Sequence, residues 1–394
     1  MDKIEEILTR GVVDVIVRTD LEKKLNLGKP LRIKLGIDPT GPALHVGRAI
    51  SLWKLRDLQK LGHKVVLIIG DFTAQIGDAS DKTAERQILS SETIAKNMET
   101  YLDQIGTILD MKKTEIHYNS TWLGKMTSGE LIKEAMNFTV NQMIKRDNFW
   151  QRFESDKPIG LHEILYPLLQ GYDSVAVKAD VEIGGNDQLF NLLTGRTLQK
   201  KYGQPEQNVM TFELLEGMDG RKMSTSYNNC IYIEDTPNEM FGKVMSIKDE
   251  LIVRYMTLVT DMEFSEVSKI ERKLAEGMNP KDAKVILAKA LVSRYHGGKA
   301  ADDAEKSFAQ VFVKNELPND IAEIAVMDKN WPLAELLEFT KLTSSKSEAR
   351  RMIEQGGVRV DGAVIGDRDA VIRPKDGLVV QVGKRKFIKI KIDK

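Results

Sequence analysis

"LRIKLGI" (31–37) and "HKVVLIIG" (63–70) are short apolar runs rich in Val, Ile and Leu. Runs of that length suit strands covered on both faces, as parallel sheets require. Between them, "VGRAISLWKLRDLQKLG" spaces Ile50, Trp53, Leu55, Leu58 and Leu61 near a helical period, and Gly62 is a fitting stop. Strand, helix and strand in that order predict a parallel pair joined by a right-handed crossover, and therefore an α/β sheet. Further strands are expected at "TEIHYN" (114–119), "VEIGG" (181–185) and "VMTFEL" (209–214), with helices between them.

From Pro237 to about Val313 the pattern becomes helical, and "DAKVILAKALVSRYHGG" ends in the glycine pair that commonly stops a helix. A polar stretch with Pro318 follows. Beyond it the chain reads as two short helices and a hairpin, then strands in "GLVVQVGKRKFIKIKI". These shifts predict a Rossmann-like, parallel-sheet catalytic domain over 1–228, an α-helical domain over 229–315, a linker over 316–330 and a small α+β domain over 331–394. At 394 residues there is length for two or three cores.

Hydrophobic content of 42% and charged content of 29% are those of a soluble globular chain. The longest apolar run, Val65 to Ile69, is too short to cross a membrane, and the acidic start at Glu5 and Glu6 is unlike a signal peptide. A single cysteine, Cys230, excludes an internal disulfide and a thiolate zinc cage and fits a reducing compartment. A cytoplasmic location is expected, with no protein metal site. Net charge is zero, but its distribution is uneven: from Trp331 onward, 14 Lys and Arg face nine Asp and Glu. Such asymmetry points to a nucleic-acid partner, with a solvated basic tail as the plain alternative.

Two stretches fit no structural role. "GIDPTGPALHVGR" (36–48) lies between the first strand and its helix, where an α/β sheet offers backbone N–H groups and a helix dipole to anions. It is neither a phosphate-binding Walker loop nor a dinucleotide fingerprint. His45 there reads equally as a phosphate donor or as an ordinary residue at a helix start. "GRKMSTS" (220–226) is a glycine-led, cationic, hydroxyl-rich loop, too short for a linker and too polar for core.

His-x-Gly after the first strand and Lys-Met-Ser-x-Ser about 175 residues later resemble the two signatures of the class I aminoacyl-tRNA synthetases. The resemblance implies ATP, with Mg2+, bound by Gly36, Asp38, Thr40, His45, Gly47, Arg48 and Asp187 and by Lys222, Met223, Ser224, Thr225 and Ser226 of a mobile loop. Thr40, His45 and Lys222 would act at the phosphates. Catalysis of that kind is positioning and charge neutralisation. Two positions depart from the pattern: Arg48 stands where histidine is usual, and Thr225 where lysine is usual.

On "GLHEILYPLLQGYDSVAVKAD" (160–180), Tyr166, Gln170 and Asp173 fall at offsets of four and three and share one helical face. On an apolar helix they form either a half-exposed polar stripe or a pocket for a small polar molecule. Tyr-x-x-x-Gln-x-x-Asp followed by "IGGNDQ" (183–188) resembles the bacterial tyrosyl-tRNA synthetase family over essentially the whole length. The resemblance implies an L-tyrosine site in which Asp173 holds the phenol, Tyr166, Gln170 and Asp78 bind the amino group, and Gln188 lies near the carboxylate. Asn119 of "IHYNSTW" is carried over to the same side. Lys34 stands where many members place a second tyrosine on the phenol.

"LTSSKSEARRMIEQGGVRVDGAVI" (342–365) resembles an S4-like RNA-binding module, with Ser345 and Ser347 as candidate caps. Lys346, Arg350 and Arg351 on a helix, with Lys384, Arg385 and Lys386 on a terminal strand, suit phosphate contacts to tRNA(Tyr). The resemblance also implies a homodimer, through the inserted segment around 120–160, and an anticodon-side place for the helical domain. Two other readings stay open: a non-catalytic RNA-binding or splicing cofactor on the same scaffold, and a paralogue activating a tyrosine analogue.

Overall fold

A computed structural model describes residues 2–78, 90–313, 321–383 and 386–393. Its main sheet has six strands: β1 (Val12–Ile16), β2 (Arg32–Ile37), β3 (Lys64–Ile69), β4 (Thr114–Tyr118), β5 (Val181–Gly185) and β6 (Asn208–Phe212). Their order is β1-β6-β5-β2-β3-β4. Every pairing is parallel except β1 with β6, which is antiparallel at the edge. All five expected strands are present. β3 is buried along five of its six residues, which explains a run of Val, Leu and Ile with no polar alternation. β1 was not expected; its "VVDVI" is β-branched and partly exposed, as suits an edge.

The helix Val46–Lys60 follows β2 as expected and stops at Leu61, with Gly62 beyond it at φ +92°. The helix Leu161–Val177 precedes β5 and carries much of the polar face described below. Its start is held by a buried ion pair, Arg152 Nη2 to Glu163 Oε2 at 2.8 Å, and Glu163 also accepts from the Gly160 N–H. It packs closely on the helix Leu189–Lys201: a Cβ on Gly171 would stand 2.9 Å from Thr194 Cγ2 and 3.1 Å from the Gly195 nitrogen. That close approach fixes the two helices against each other.

The chain forms two compact units, residues 1–235 with 246–295 and residues 236–245 with 296–394. These boundaries differ from those read in the sequence. The helices of 229–315 divide: Ile252–Val259, Phe264–Ala275 and, up to Tyr295, Pro280–His296 belong to the first unit, and Pro237–Val244 and Gly298–Val313 to the second. Phe241 meets Phe308 at 5.4 Å between ring centroids in that second unit.

The expected linker over 316–330 contains a strand, β7 (Glu323–Met327). It pairs in parallel with β13 (Lys386–Asp393) at one edge of a five-stranded sheet. The rest of that sheet is β9 (Val358–Val360), β10 (Ala363–Ile365) and β12 (Val379–Val382); β8 (Trp331–Pro332) and β11 (Val371–Ile372) pair separately. β7 escapes a sequence reading because only Val326 of its five residues is fully buried and its flanks are polar. The helices Leu333–Phe339 and Lys346–Glu354 cover this sheet through Leu333, Leu336, Leu337, Ala349 and Ile353.

Candidate active site

The strand order reverses between β2 and β5, and a cleft of about 710 Å³ opens there at the carboxyl ends of the strands. Open α/β sheets bind ligands at such a point. Every residue the sequence assigns to ATP or tyrosine lines this one cleft, apart from Ser226, whose side chain lies outside the described residues.

On one side, the loop after β2 is pinned by the helix Ser91–Gly106. Asn97 Nδ2 donates to the Pro39 carbonyl (3.0 Å) and Gln104 Nε2 to the Pro42 carbonyl (2.8 Å), while Gln104 Oε1 accepts from the Leu44 N–H (2.6 Å). His45 then caps the helix Val46–Lys60, its Nδ1 accepting from the Arg48 N–H at 3.3 Å. Burial, aided by the cations of Arg48 and Lys222, pushes the imidazole pKa down to about 3. The ring is therefore neutral near pH 7 and keeps Nε2–H as a donor. The Arg48 guanidinium, whose head group no spacing could place, donates to Thr40 Oγ1 (3.1 Å) and to the Tyr101 hydroxyl. A Cβ on Gly36 would meet nothing within 4 Å, so the backbone there is open to a ligand.

The loop around Gly220 is organised by Asn229, whose Nδ2 donates to Asp219 Oδ1 (2.8 Å) and the Lys222 carbonyl (3.1 Å). Asn229 Oδ1 accepts from the Ser224 N–H at 2.9 Å. Lys222 Nζ reaches across to Asp187 Oδ2 at 2.9 Å. Met223 is buried, and Thr225 shares a hydrogen bond with the Tyr232 hydroxyl. Arg221, the other cation of the loop, pairs with Asp219 and stacks over Tyr227 at 4.4 Å.

The other side is built around two carboxylates. Asp38 accepts from the Tyr166 hydroxyl (Oδ2, 2.9 Å) and from Thr73 Oγ1 (Oδ1, 2.8 Å). Burial, then the charge of Asp38, raises the Tyr166 pKa well above its usual value, so the phenol stays a donor. A Cβ on Gly70 would stand 1.9 Å from Asp38 Oδ1, so only glycine leaves that carboxylate its place. Asp173 is 2% exposed and accepts from Trp122 Nε1 (2.8 Å) and Asn119 Nδ2 (3.3 Å). Burial pushes its pKa up to about 7, against the opposing pull of Lys34 and of those two donors. A third group joins by a chain of amides: Gln188 Nε2 donates to Asp78 Oδ2 (2.6 Å), and Asn191 Nδ2 to Gln188 Oε1 and Gln170 Oε1 (3.0 Å each). Lys34 lies lower, fully buried beside Glu182.

Among the described residues, no group of three acidic, His or Cys side chains is placed to hold a metal ion, and no helix is long and apolar enough to cross a membrane. In the terminal unit, Ser345 caps the helix Lys346–Glu354 by accepting from the Glu348 N–H, whereas Ser347 lies inside the helix. Arg350 and Arg351 are exposed; Lys346 pairs with Glu335 at 2.8 Å, and Lys386 donates to the Leu342 carbonyl. Lys384 and Arg385 lie outside the described residues.

The family profile described as tRNA synthetases class I (W and Y) matches residues 26–313, and that of a tyrosine–tRNA ligase SYY-like C-terminal domain matches 313–390. The tyrosine–tRNA ligase of Carboxydothermus hydrogenoformans is 48% identical over 401 residues, covering 99% of this chain and 98% of that protein. The chain belongs to the tyrosine–tRNA ligase family. The ligase of Francisella tularensis is 47% identical over 98% of this chain and 97% of its own, and that of Thermotoga maritima 47% over 98% and 96%. Among solved structures, a tyrosyl-tRNA synthetase complexed with L-tyrosine from Archaeoglobus fulgidus superposes with a TM-score of 0.61 at 21% identity, covering 77% of this chain and 100% of that one. A C-terminally truncated mitochondrial tyrosyl-tRNA synthetase from Aspergillus nidulans gives 0.63 at 22%, covering 79% and 94%. At such identities these two speak for the fold.

Sequence reasoning missed Thr73, Trp122 and Asn191, the side chains that hold Asp38, Asp173 and the amide chain. Asn191 alone carried a signal, as a lone amide in the apolar "LFNLLTG". Gly70→Ala is expected to displace the Asp38 carboxylate and lower tyrosine activation in this ligase on the order of 10²-fold, as misplacement of about 1 Å does. Pyrophosphate exchange on the folded variant reads it; a parental rate would mean the position of Asp38 is unimportant.

Proposed function

We propose that the chain condenses L-tyrosine with ATP, supplied as its magnesium complex, and then charges tRNA(Tyr) in the cytoplasm. A tyrosine carboxylate oxygen forms a bond to the α-phosphorus as the bond to the β-phosphate bridge breaks, and pyrophosphate leaves. The terminal ribose hydroxyl of the tRNA then takes the acyl group and AMP departs. No side chain becomes a covalent nucleophile; the enzyme works by orientation and charge. The observation that carries this reading is that both nucleotide signatures and the polar helix face line one cleft.

In this reading Asp173 accepts the phenol hydroxyl, held in place by Asn119 and Trp122. Excluding a substrate without that hydroxyl follows, because the buried acceptor would be left unpaired. The Tyr166 oxygen, Gln170 and Asp78 receive the ammonium, and Gln188 lies toward the carboxylate. Gly36, Asp38, Thr40, Gly47 and Asp187 seat the nucleotide. The neutral His45 donates to a phosphate oxygen. Lys222, Met223, Ser224, Thr225 and Ser226 form the closing loop, with Arg48 adding a cation beside Thr40. Lys222 meets the departing pyrophosphate, a contact made mostly in the transition state and worth roughly 2–4 kcal/mol.

The helical segments and the basic end carry the tRNA, the latter as an S4-like module using Lys346, Arg350, Arg351, Lys384, Arg385 and Lys386. A homodimer through the 120–160 segment is supported by its exposed apolar side chains, among them Ile132, Met136, Val140, Trp150 and Phe153.

Lys222→Ala is expected to lower the activation rate more than about tenfold with little change in tyrosine affinity, the loss expected of a transition-state contact. Asp173→Asn should reduce the preference for tyrosine over phenylalanine while ATP binding persists. Pre-steady-state adenylate formation measures both, and a Lys222→Ala enzyme as fast as the parent would show that this loop does not close on the triphosphate. Arg350→Glu with Arg351→Glu should depress tRNA charging at least about tenfold and spare adenylate formation, since phosphate contacts are salt-dependent and additive in charge; equal loss in both assays would refute an RNA role. Met136→Asp with Phe153→Asp should yield monomers by analytical ultracentrifugation, and an unchanged mass would move the interface elsewhere.

A further inference from the structure

Below the cleft floor lies a charge pair that neither substrate needs to touch. Lys34 of β2 and Glu182 of β5 are register partners in the two strands where the sheet order reverses. Both are 0% exposed, with Lys34 Nζ 2.8 Å from Glu182 Oε1. The ammonium also donates to the Gln170 carbonyl (3.0 Å) and to Ser174 Oγ (2.8 Å), so each of its three protons has an acceptor. Glu182 Oε2 accepts in turn from Ser174 Oγ (2.9 Å) and Gln207 Nε2.

Stability does not account for this pair. Taking two ions out of water costs several kcal/mol each, and apolar residues of the same volume often serve a core better. The pair's position supplies another reason. Two of its contacts, Gln170 and Ser174, flank Asp173 on the helix Leu161–Val177. Around the Asp173 carboxylate stand Trp122 and Asn119 as donors from the segment after β4, Lys34 from β2 and Glu182 from β5. Tyr166 lies on the same helix with its hydroxyl committed to Asp38.

We infer that Lys34 is a specificity-determining positioning residue, which acts through Asp173 by holding it as a charged acceptor for the substrate's phenol. The inference rests on the proposed reading of Asp173. Glu182, Ser174 and the Gln170 carbonyl fix where the ammonium sits, and the ammonium is the strongest opposing influence on a carboxyl that burial drives up to about 7. Glu182 acts on Asp173 with the opposite sign and more weakly. The ionised carboxylate exists above that pKa, so tyrosine activation should fall as pH drops through it.

The test is the pH profile of kcat/KM for tyrosine in pyrophosphate exchange, which reports ionisations of the free enzyme. The parent should show an acid limb near pH 7, and Asp173→Asn should abolish it. Lys34→Met removes the favourable charge and should move the limb up by about one pH unit, costing about tenfold at pH 6. Glu182→Gln should move it down. A purely structural role would lower activity in both variants without shifting the limb in opposite directions, and that outcome overturns the inference. Should Lys34→Met fail to fold with Glu182 left unpaired, the double variant Lys34→Met/Glu182→Gln restores neutrality and should still move the limb up, by less; an unmoved limb there counts against Lys34. If Asp173→Asn itself keeps the limb and the tyrosine preference, the reading of Asp173 fails; if it loses them while the Lys34 and Glu182 variants behave alike, only the role of Lys34 fails.

Discussion

A parallel sheet can turn its ligand site toward only one end of its strands, and here that end is decided between β2 and β5. The chain leaves β2 toward β3 and β4, then returns to lay β5 and β6 on the other side. Loops that leave neighbouring strands in opposite directions cannot cover the gap between them. Asp38 and His45 enter from the β2 loop, Asp187 and Gln188 from the β5 turn, and Asp173 from the helix leading into β5. Residues more than a hundred positions apart are thereby within hydrogen-bond reach, as Tyr166 and Asp38 are at 2.9 Å.

Polar groups at this junction are held mainly by one another. Asp38 is clamped by two hydroxyls, Asp173 by an indole and an amide, and Gln188 and Gln170 by the single amide of Asn191. In a low-dielectric floor such linked groups strengthen each other and resist rotation. A site assembled in this way has its polar groups positioned by one another, as the catalysis by orientation proposed above requires.

How much of this was legible in the sequence depends on the range of the interaction. The strands β2 to β6 and the helix after β2 announced themselves, because burial on two faces or one stripe writes its period into neighbouring residues. The residues assigned to ATP and tyrosine were found through local signatures, and they do converge on one cleft. What stayed hidden is long-range. Trp122 reaches Asp173 across 51 positions and Thr73 reaches Asp38 across 35. No spacing rule connects such pairs. β7 was read as linker since its partner β13 lies more than 60 residues further on, and a lone edge strand with one fully buried residue has no period to show.

The contact between Lys222 and Asp187 gives the resting loop a chemical state as well as a place. A cation that already has a carboxylate at 2.9 Å is not idle charge waiting for a triphosphate. On the proposed reading, nucleotide entry engages Asp187 and draws it away from the ammonium. The loop is then recruited by an exchange of partners, and its net gain is the difference between two ionic contacts. Such an exchange leaves ground-state nucleotide affinity modest while the full attraction is released to the leaving group, where negative charge is being born.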